Sequence, residues 1–548
     1  MSFAGPNAGI YDVCIIGSGA AGGMSAKLLT EAGLDVVLLE AGPSINPEVD
    51  FKQHMWVYEL PRRGLSKGGD GDDLYPPQTG FTIPGEPYTR SRRKPFNWFR
   101  ARGVGGRTNH WGQGVARFQP HDFIGRSLDG HGEDWPITYE DLSPYYDRVE
   151  DLIGVFGAGN MPPPKPRCTE LFVGKACQKV GIPCVPCTAS ILTQPHRGRP
   201  ACHYCGQCYR GCKSNSCFSS AQVLIPSALA TGRLTLITNA MARELLVSSD
   251  ARIRAVSYID KQSYSERQVR ARVVVLAAGT CESTRLLLNS RSTIFPDGVA
   301  NSSGVVGRYL RDSVVSRAAG FFPQLTRVPP HNHDGTGRPH LWIPWWKAGA
   351  KNDFLRGYHI LFNGGRNVPL VSAFALEVER HEGYGIELKR RCRDVYGCYI
   401  NFIAAGEMIS NDESYCEINN NLMDRWGIPT LRFQFALGDN EFKMIDDMQR
   451  SFRAIVEAGG GTCIPDPGEL VGNPGGEGFQ EQGTIRMGRD PRAAALNGFC
   501  QAHDVKNLFV MDASSFVSSS DKPVTLTILA LAWRASEFLL NQVKRGYL

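Results

Sequence analysis

Three stretches of the chain pair an apolar run with a helical repeat, and they lie far apart in sequence. In "YDVCIIGSGAAGGMSAKLLTEAGLDVVLLEAG" the run Asp12 to Ile16 predicts a short strand, Ala20 to Glu31 keeps helical spacing through Met24, Leu28 and Leu29, and Val36 to Leu39 resumes as a strand. Gly33 is placed to end the helix. Arg272 to Ser290, "RVVVLAAGTCESTRLLLNS", predicts another strand and helix. Asn507 to Phe516, "NLFVMDASSF", predicts a third strand ending in Asp512, followed by the apolar helix "TLTILALAWRASEFLL".

Between the first strand and its helix lies G-x-G-x-x-G at Gly17, Gly19 and Gly22. The first glycine permits the turn, the second lets a pyrophosphate approach the backbone, and the third lets helix pack against strand. Helix N-terminal amides then meet the phosphate charge. Glu40 closes the second strand, where an acidic side chain accepts hydrogen bonds from an adenosine ribose. With strand, helix and acid in order, the pattern predicts dinucleotide binding. The strand late in the chain predicts that the C-terminus returns to complete that domain, a discontinuous arrangement that suits a long cofactor lying across the sheet.

Composition sets the outer bounds. With 548 residues, 42% apolar and 10% aromatic, the chain can bury a large core and is long enough for two or three domains. Sixty basic against fifty-four acidic residues give +6, spread along the chain. The nearest cationic run, "RSRRKPFNWFR", reads as a solvated loop, so no nucleic-acid partner is inferred. The N-terminus lacks a charged segment followed by a long apolar run, and no window is long and apolar enough to span a membrane. These features predict a soluble, cytoplasmic protein with a small-molecule substrate. The electron acceptor and a homo-oligomeric state stay open.

Several motifs in register resemble the glucose-methanol-choline (GMC) oxidoreductases, in their bacterial sugar- and glycoside-oxidising, pyranose oxidase-like branch. Besides the first motif, "GVGGRTNHWGQGVARFQPHDF" resembles the family's flavin-contacting loop, and "EDWPITYEDLSPYYDRVEDLIGVFG" the segment that follows it. "GTIRMGRDP", "HDVKNLFVMDASSF" and "TLTILALAWRAS" resemble the C-terminal signature in order and spacing. The resemblance covers nearly the whole chain. It implies an α/β fold: a Rossmann-like FAD-binding domain from residues 1–125, 215–315 and 465–548, and an α+β substrate domain from 126–214 and 316–464, with a sheet backed by helices.

Carried over residue by residue, the resemblance puts Gly17, Gly19 and Gly22 at the pyrophosphate, Glu40 at the ribose and the backbone of Ala242 at the adenine. It puts Gly105, Gly106, Asn109 and His110 along the flavin, and Asp512 and Ala513 near the ribityl and phosphates. In pyranose-oxidising relatives the histidine of a T-H-W triplet carries a covalent bond to the flavin. Here the triplet is Asn109, His110, Trp111, so His110 is a candidate for attachment, the alternative being a neutral hydrogen-bonding histidine.

One departure bears on mechanism. The family's H-E-x-G-T-x-R-M-G loop, whose histidine takes the substrate hydroxyl proton, stands here as "QEQGTIRMG" with Gln480 in the histidine's place. An amide cannot hold a proton at neutral pH. The partner asparagine or histidine aligns with Pro523 in "DKPVTLTIL", and proline has no donor. A one-residue slip would put Lys522 there instead, a base only if desolvated. Other candidates are His331, His333, His340, His359 and His381 in the substrate-domain segments. The loop therefore predicts a relocated base, a specially activated substrate, or abandoned hydride transfer. Three functions follow: an FAD-dependent oxidoreductase acting on a CH-OH group of a sugar, glycoside or similar polar substrate; a redox-neutral elimination or cyclisation, or a desaturation; and a silent flavoprotein that carries electrons.

Nine of the sixteen cysteines fall between Cys168 and Cys217. Cys202, Cys205, Cys208 and Cys212 have the spacing of a ferredoxin run, with Lys213 where that run has proline. An iron-sulfur cluster, tetrahedral zinc, reduced thiols and local disulfides are the open readings.

Overall fold

The computed structural model describes residues 9–60, 75–76, 78–328, 335–347, 352–364, 384–465 and 475–548. His331, His333 and His381 lie outside them.

The first strand, helix and second strand form at Tyr11–Ile16, Ala20–Glu31 and Val36–Leu39, within a residue of the apolar pattern. Two strands buried on both faces cannot stand alone, and the sheet grows around them. The strand Tyr11–Ile16 pairs in parallel with Val36–Leu39 on one side and with the end of Glu266–Leu276 on the other. Leu234–Ile237 extends the sheet beyond Val36–Leu39, and Leu508–Val510 adds to Val274–Leu276 from the far end of the chain. The predicted C-terminal return is therefore a parallel β pairing. At its other end, Glu266–Leu276 turns antiparallel and continues into Ile253–Asp260 and Ala240–Val247.

A second, antiparallel sheet runs in the order Tyr358–Gly364, Tyr399–Gly406, Val314–Phe321, Thr462–Pro465. Its strands alternate strictly, as side chains one residue apart point to opposite faces. Tyr358, Ile360 and Phe362 join a buried cluster with Met444, Met448, Phe452 and Ile455 of the helix Asp439–Ala458, which backs the sheet. The intervening residues face the other way. Register sets His359 and Val315 on either side of Ala405, and Leu361 and Arg317 on either side of Ile403. These six side chains form the floor of a cavity.

Two consecutive buried residues join the two sheets to the glycine-rich loop after residue 475. Arg311 exchanges both backbone hydrogen bonds with Gln482 at 3.0 Å, and its guanidinium donates to the Phe516 carbonyl at 2.9 Å and to Ser410 Oγ at 2.7 Å. The Asp312 carboxylate accepts from the amides of Gly478 (2.9 Å) and Gln480 (2.8 Å).

Backing of the cavity floor predicts a sharp contrast along one helix. Phe452→Ala removes a fully buried ring under the sheet and should cost about 3 to 5 kcal/mol of stability in denaturant unfolding. Phe442→Ala, on a ring 50% exposed on the same helix, should cost less than about 0.5 kcal/mol.

Candidate active site

The carboxyl ends of the parallel strands open into a cavity of about 600 Å³. An open α/β sheet binds its ligand at that edge. The three glycines differ there in the room each leaves for a side chain. A Cβ on Gly22 would lie 1.8 Å from the Gly17 carbonyl oxygen, and one on Gly17 would lie 2.5 Å from that of Ala277. A Cβ on Gly19 would meet nothing within 4 Å, because that position faces the cavity.

Glu40 lines the cavity and accepts from the Ser18 amide at 3.2 Å, from the Ser18 hydroxyl and from the Gly42 amide at 2.8 Å. Burial pushes its carboxyl up, and these donors pull it back. Ala242 lines the same end. Asp512 and Ala513 line the middle, where Asp512 accepts from the amides of Gly279 and Ser514, both at 3.0 Å. Gly106 and His110 also face the space, whereas Gly105, Gly22 and Asn109 do not. Asn109 turns inward to donate to the Val104 carbonyl at 2.9 Å.

His110 is 5% exposed, and burial first, then the Arg107 charge, lowers its pKa to about 3. It is a neutral imidazole at physiological pH, and its Nδ1 is buried without a partner among the described residues. An orphaned ring nitrogen, the bare Gly19 turn and the long cavity together fit a dinucleotide such as FAD.

At the other end Gln480, Pro523, Tyr209, Arg338, Arg317 and His359 share the cavity. The Gln480 side-chain carbonyl is buried and without a partner among the described residues. Its neighbours hold strained backbone: Phe479 and Thr484 have φ of 55° and 77°, conformations that cost about 1 to 3 kcal/mol each. Beneath the loop, burial and the nearby Glu481 charge raise Asp312 to about 7.

The histidines and lysine in contention separate cleanly. His340 is buried outside the cavity, with Nδ1 at 2.9 Å from the Lys165 carbonyl. Lys522 is ion-paired with Asp521 and with Asp122 at 3.2 Å, which holds its ammonium above the ordinary lysine range against the opposing effect of burial. It lies outside the cavity lining, buried and ion-paired rather than solvated. His359 lines the cavity, stacks against Trp342 at 5.2 Å between centroids, and is hydrogen-bonded through Nδ1 to the Asp521 carbonyl. A carbonyl only accepts, so Nδ1 carries the proton and Nε2 is left as an acceptor. Burial foremost, with the Arg338 and Lys522 charges adding to it against the pull of Asp521, lowers His359 to about 4.

No disulfide joins the cysteines among the described residues. Cys208 and Cys217 approach to 3.6 Å, and hydrogen bonding by Cys217 lowers Cys212 to about 5. Among the described residues, one group of ligand atoms lies within 4.8 Å of one another, that of His54, His203 and Cys205. Of the four cysteines in the ferredoxin-like run, Cys205 is the one in it. Its partners come from a segment that spacing alone does not connect to it.

Comparison with known proteins accounts for this architecture. Models of the GMC oxidoreductase family match residues 85–315 and 411–532, and a FAD binding domain model matches residues 10–49. The chain belongs to the GMC oxidoreductase family. It is similar to 2-methyl-1,2-propanediol dehydrogenase of Mycolicibacterium austroafricanum, 28% identical over 96% of this chain and 95% of that one. It is also similar to the fructose dehydrogenase large subunit of Gluconobacter japonicus, 26% identical over 98% of each chain. Formate oxidase of Aspergillus oryzae shares the fold, with a TM-score of 0.64 over 99% of this chain and 100% of that one at 15% identity. This GMC oxidoreductase is an FAD-dependent enzyme, and no helix among its described residues is long and apolar enough to cross a membrane.

Arg338, Tyr209 and Arg317 carry no motif, and the sequence does not single them out. Alternation along Val314–Phe321 is the one signal that could have marked Arg317, as a charged residue in an otherwise apolar run.

The glycine geometry makes two substitutions diverge. Gly19→Val should fold with a near-native melting temperature yet purify without flavin absorbance, because its side chain fills the open cradle. Gly22→Ala should fail to fold or melt far lower, because its methyl has nowhere to go.

Proposed function

We propose that the chain oxidises a CH-OH carbon of a sugar or similar polyol, with His359 taking the hydroxyl proton that the family's usual histidine would take. One observation carries this reading. His359 is the cavity histidine whose tautomer is fixed with a free acceptor nitrogen facing the space that Gln480 and Pro523 also line. Relatives named for a 1,2-diol and for fructose support the substrate class.

FAD, when bound, supplies the acceptor for the hydride of the alcohol carbon, which carries both electrons of the C-H bond. As that C-H bond is lost, the hydroxyl proton becomes that of a protonated carbonyl and is acidic enough for a neutral imidazole to accept at Nε2. The Asp521 carbonyl stabilises the resulting imidazolium through Nδ1-H. Gln480, held at its backbone by Asp312, orients the substrate oxygen through its amide. The neutral His110 is the residue available to carry FAD covalently.

His359→Gln should keep FAD and lower the rate of anaerobic flavin bleaching by about 100- to 10,000-fold, the general-base contribution. Gln480→Ala should lower it by only about ten- to a hundredfold, the effect of a lost orienting hydrogen bond. The assay is bleaching of the holoenzyme by the best substrate from a panel of sugars, 1,2-diols and hydroxy acids. Equal effects of the two substitutions contradict the relocated base. Turnover without bleaching would favour a redox-neutral reaction instead.

A further inference from the structure

The cationic side chains that line the cavity differ in one respect. Arg102 is ion-paired with Glu86 and Glu282, Arg100 lies 3.8 Å from Glu86, Arg107 meets Glu481, and Arg317 lies 3.7 Å from Glu477. Arg338 has no carboxylate partner among the described residues, although it is only 7% exposed. A guanidinium does not shed its charge at physiological pH, so a buried one is costly unless something answers it.

The surrounding structure holds this charge in place. The Arg338 amide donates to Thr336 Oγ1 at 3.3 Å, and its carbonyl accepts from Thr336 Oγ1 at 2.6 Å and from Arg167 Nη2 at 3.1 Å. Arg338 Nε donates to the Cys187 sulfur at 3.5 Å. Both Nη groups are left without a protein acceptor among the described residues, at the cavity wall.

Two glycines in the loop after His110 make room for the side chains there. A Cβ on Gly114 would lie 2.4 Å from the guanidinium carbon of Arg338, and one on Gly112 would lie 3.2 Å from the hydroxyl of Tyr209. Any larger residue at 114 would push the guanidinium from its seat. Tyr209 and Arg338 thus converge over the same loop, on the side of the cavity that holds His359.

Resting on the reading that the alcohol substrate lies beside His359, we infer that Arg338, with the Tyr209 hydroxyl, forms a subsite for a carboxylate on the substrate. Within that reading, the substrate is narrowed to a sugar or polyol that carries a carboxylate, such as an acidic sugar or polyhydroxy acid. A carboxylate suits the geometry better than a phosphate. With Nε engaged by Cys187, the two Nη groups remain as a planar fork, which matches the two oxygens of a carboxylate. The subsite orients the substrate and takes no part in the proton transfer, so Arg338 is a positioning residue.

The test is binding to the FAD-loaded enzyme, read as perturbation of flavin absorbance. Three pairs differ chiefly in charge: D-glucuronate with D-glucose, D-gluconate with D-glucitol, and D-glucose 6-phosphate with D-glucose. We expect the carboxylate member of at least one pair to bind about ten- to a hundredfold more tightly than its neutral partner, as charge-assisted hydrogen bonds do. Arg338→Met and Gly114→Leu should each bring that ratio close to one, and Arg338→Lys should retain part of it. Flavin absorbance of each variant reports that it folds and loads.

No carboxylate preference in any pair, a stronger preference for the phosphate, or a preference that survives in both Arg338→Met and Gly114→Leu overturns the inference. Binding does not depend on the base. The ratio should therefore persist in His359→Gln, and normal turnover by that variant would defeat the relocated base while leaving the subsite standing.

Discussion

The hydrogen bond from His359 Nδ1 to the Asp521 carbonyl organises the catalytic end of the molecule. It joins the edge strand of the antiparallel sheet to the segment that enters the final helix, Thr525–Lys544. A backbone carbonyl can only accept, so the bond also chooses the tautomer and leaves Nε2 for chemistry. Asp521 in turn is held by Lys522, and Lys522 by Asp122, a residue from the N-terminal half. The lysine and the two acids pair with one another, and burial foremost keeps the imidazole neutral.

The loop carrying Gln480 is firmly held, although it offers an amide rather than an imidazole to the cavity. Arg311 and Asp312 fix it by backbone pairing and by two amide-to-carboxylate bonds, and Phe479 and Thr484 remain in strained conformations. Strain persists only where surrounding structure over-determines it. A side chain unable to accept a proton, set in a loop still held this firmly, fits a role in orienting substrate. The loop amides bond to protein, whereas the Gln480 side-chain carbonyl has no partner among the described residues and its side chain lines the cavity.

Local patterns made the nucleotide end legible in the sequence. Gly17, Gly19 and Gly22 report steric facts about a turn, and the apolar runs of Tyr11–Ile16 and Val36–Leu39 report burial on both faces. The catalytic end was legible only as a deficit, the loss of histidine at 480 and of asparagine at 523. The placement of His359, the base proposed here, depends on sheet register and on a main-chain carbonyl 162 residues away, and neither leaves a residue signature. His340 and His359 illustrate this. Both are buried histidines from the same part of the chain, yet only one lines the cavity. Lys522 is paired both with Asp521 beside it and with Asp122, 400 residues earlier, and that second partner leaves no sign in the local sequence. Arg338 gave no signal at all, since what distinguishes it is the lack of a carboxylate partner among the described residues.

The most direct test of the relocated base is the pH dependence of flavin reduction, measured by anaerobic stopped flow under saturating substrate. His359 must be unprotonated to accept, and burial lowers it to about 4. The rate constant should therefore be level across neutral pH and fall as pH drops through that region, in the native enzyme and in Gln480→Ala alike. In His359→Gln the slow residual rate should lose this acid limb. A limb that survives unchanged in His359→Gln would contradict the account, because the proton acceptor would then be another group.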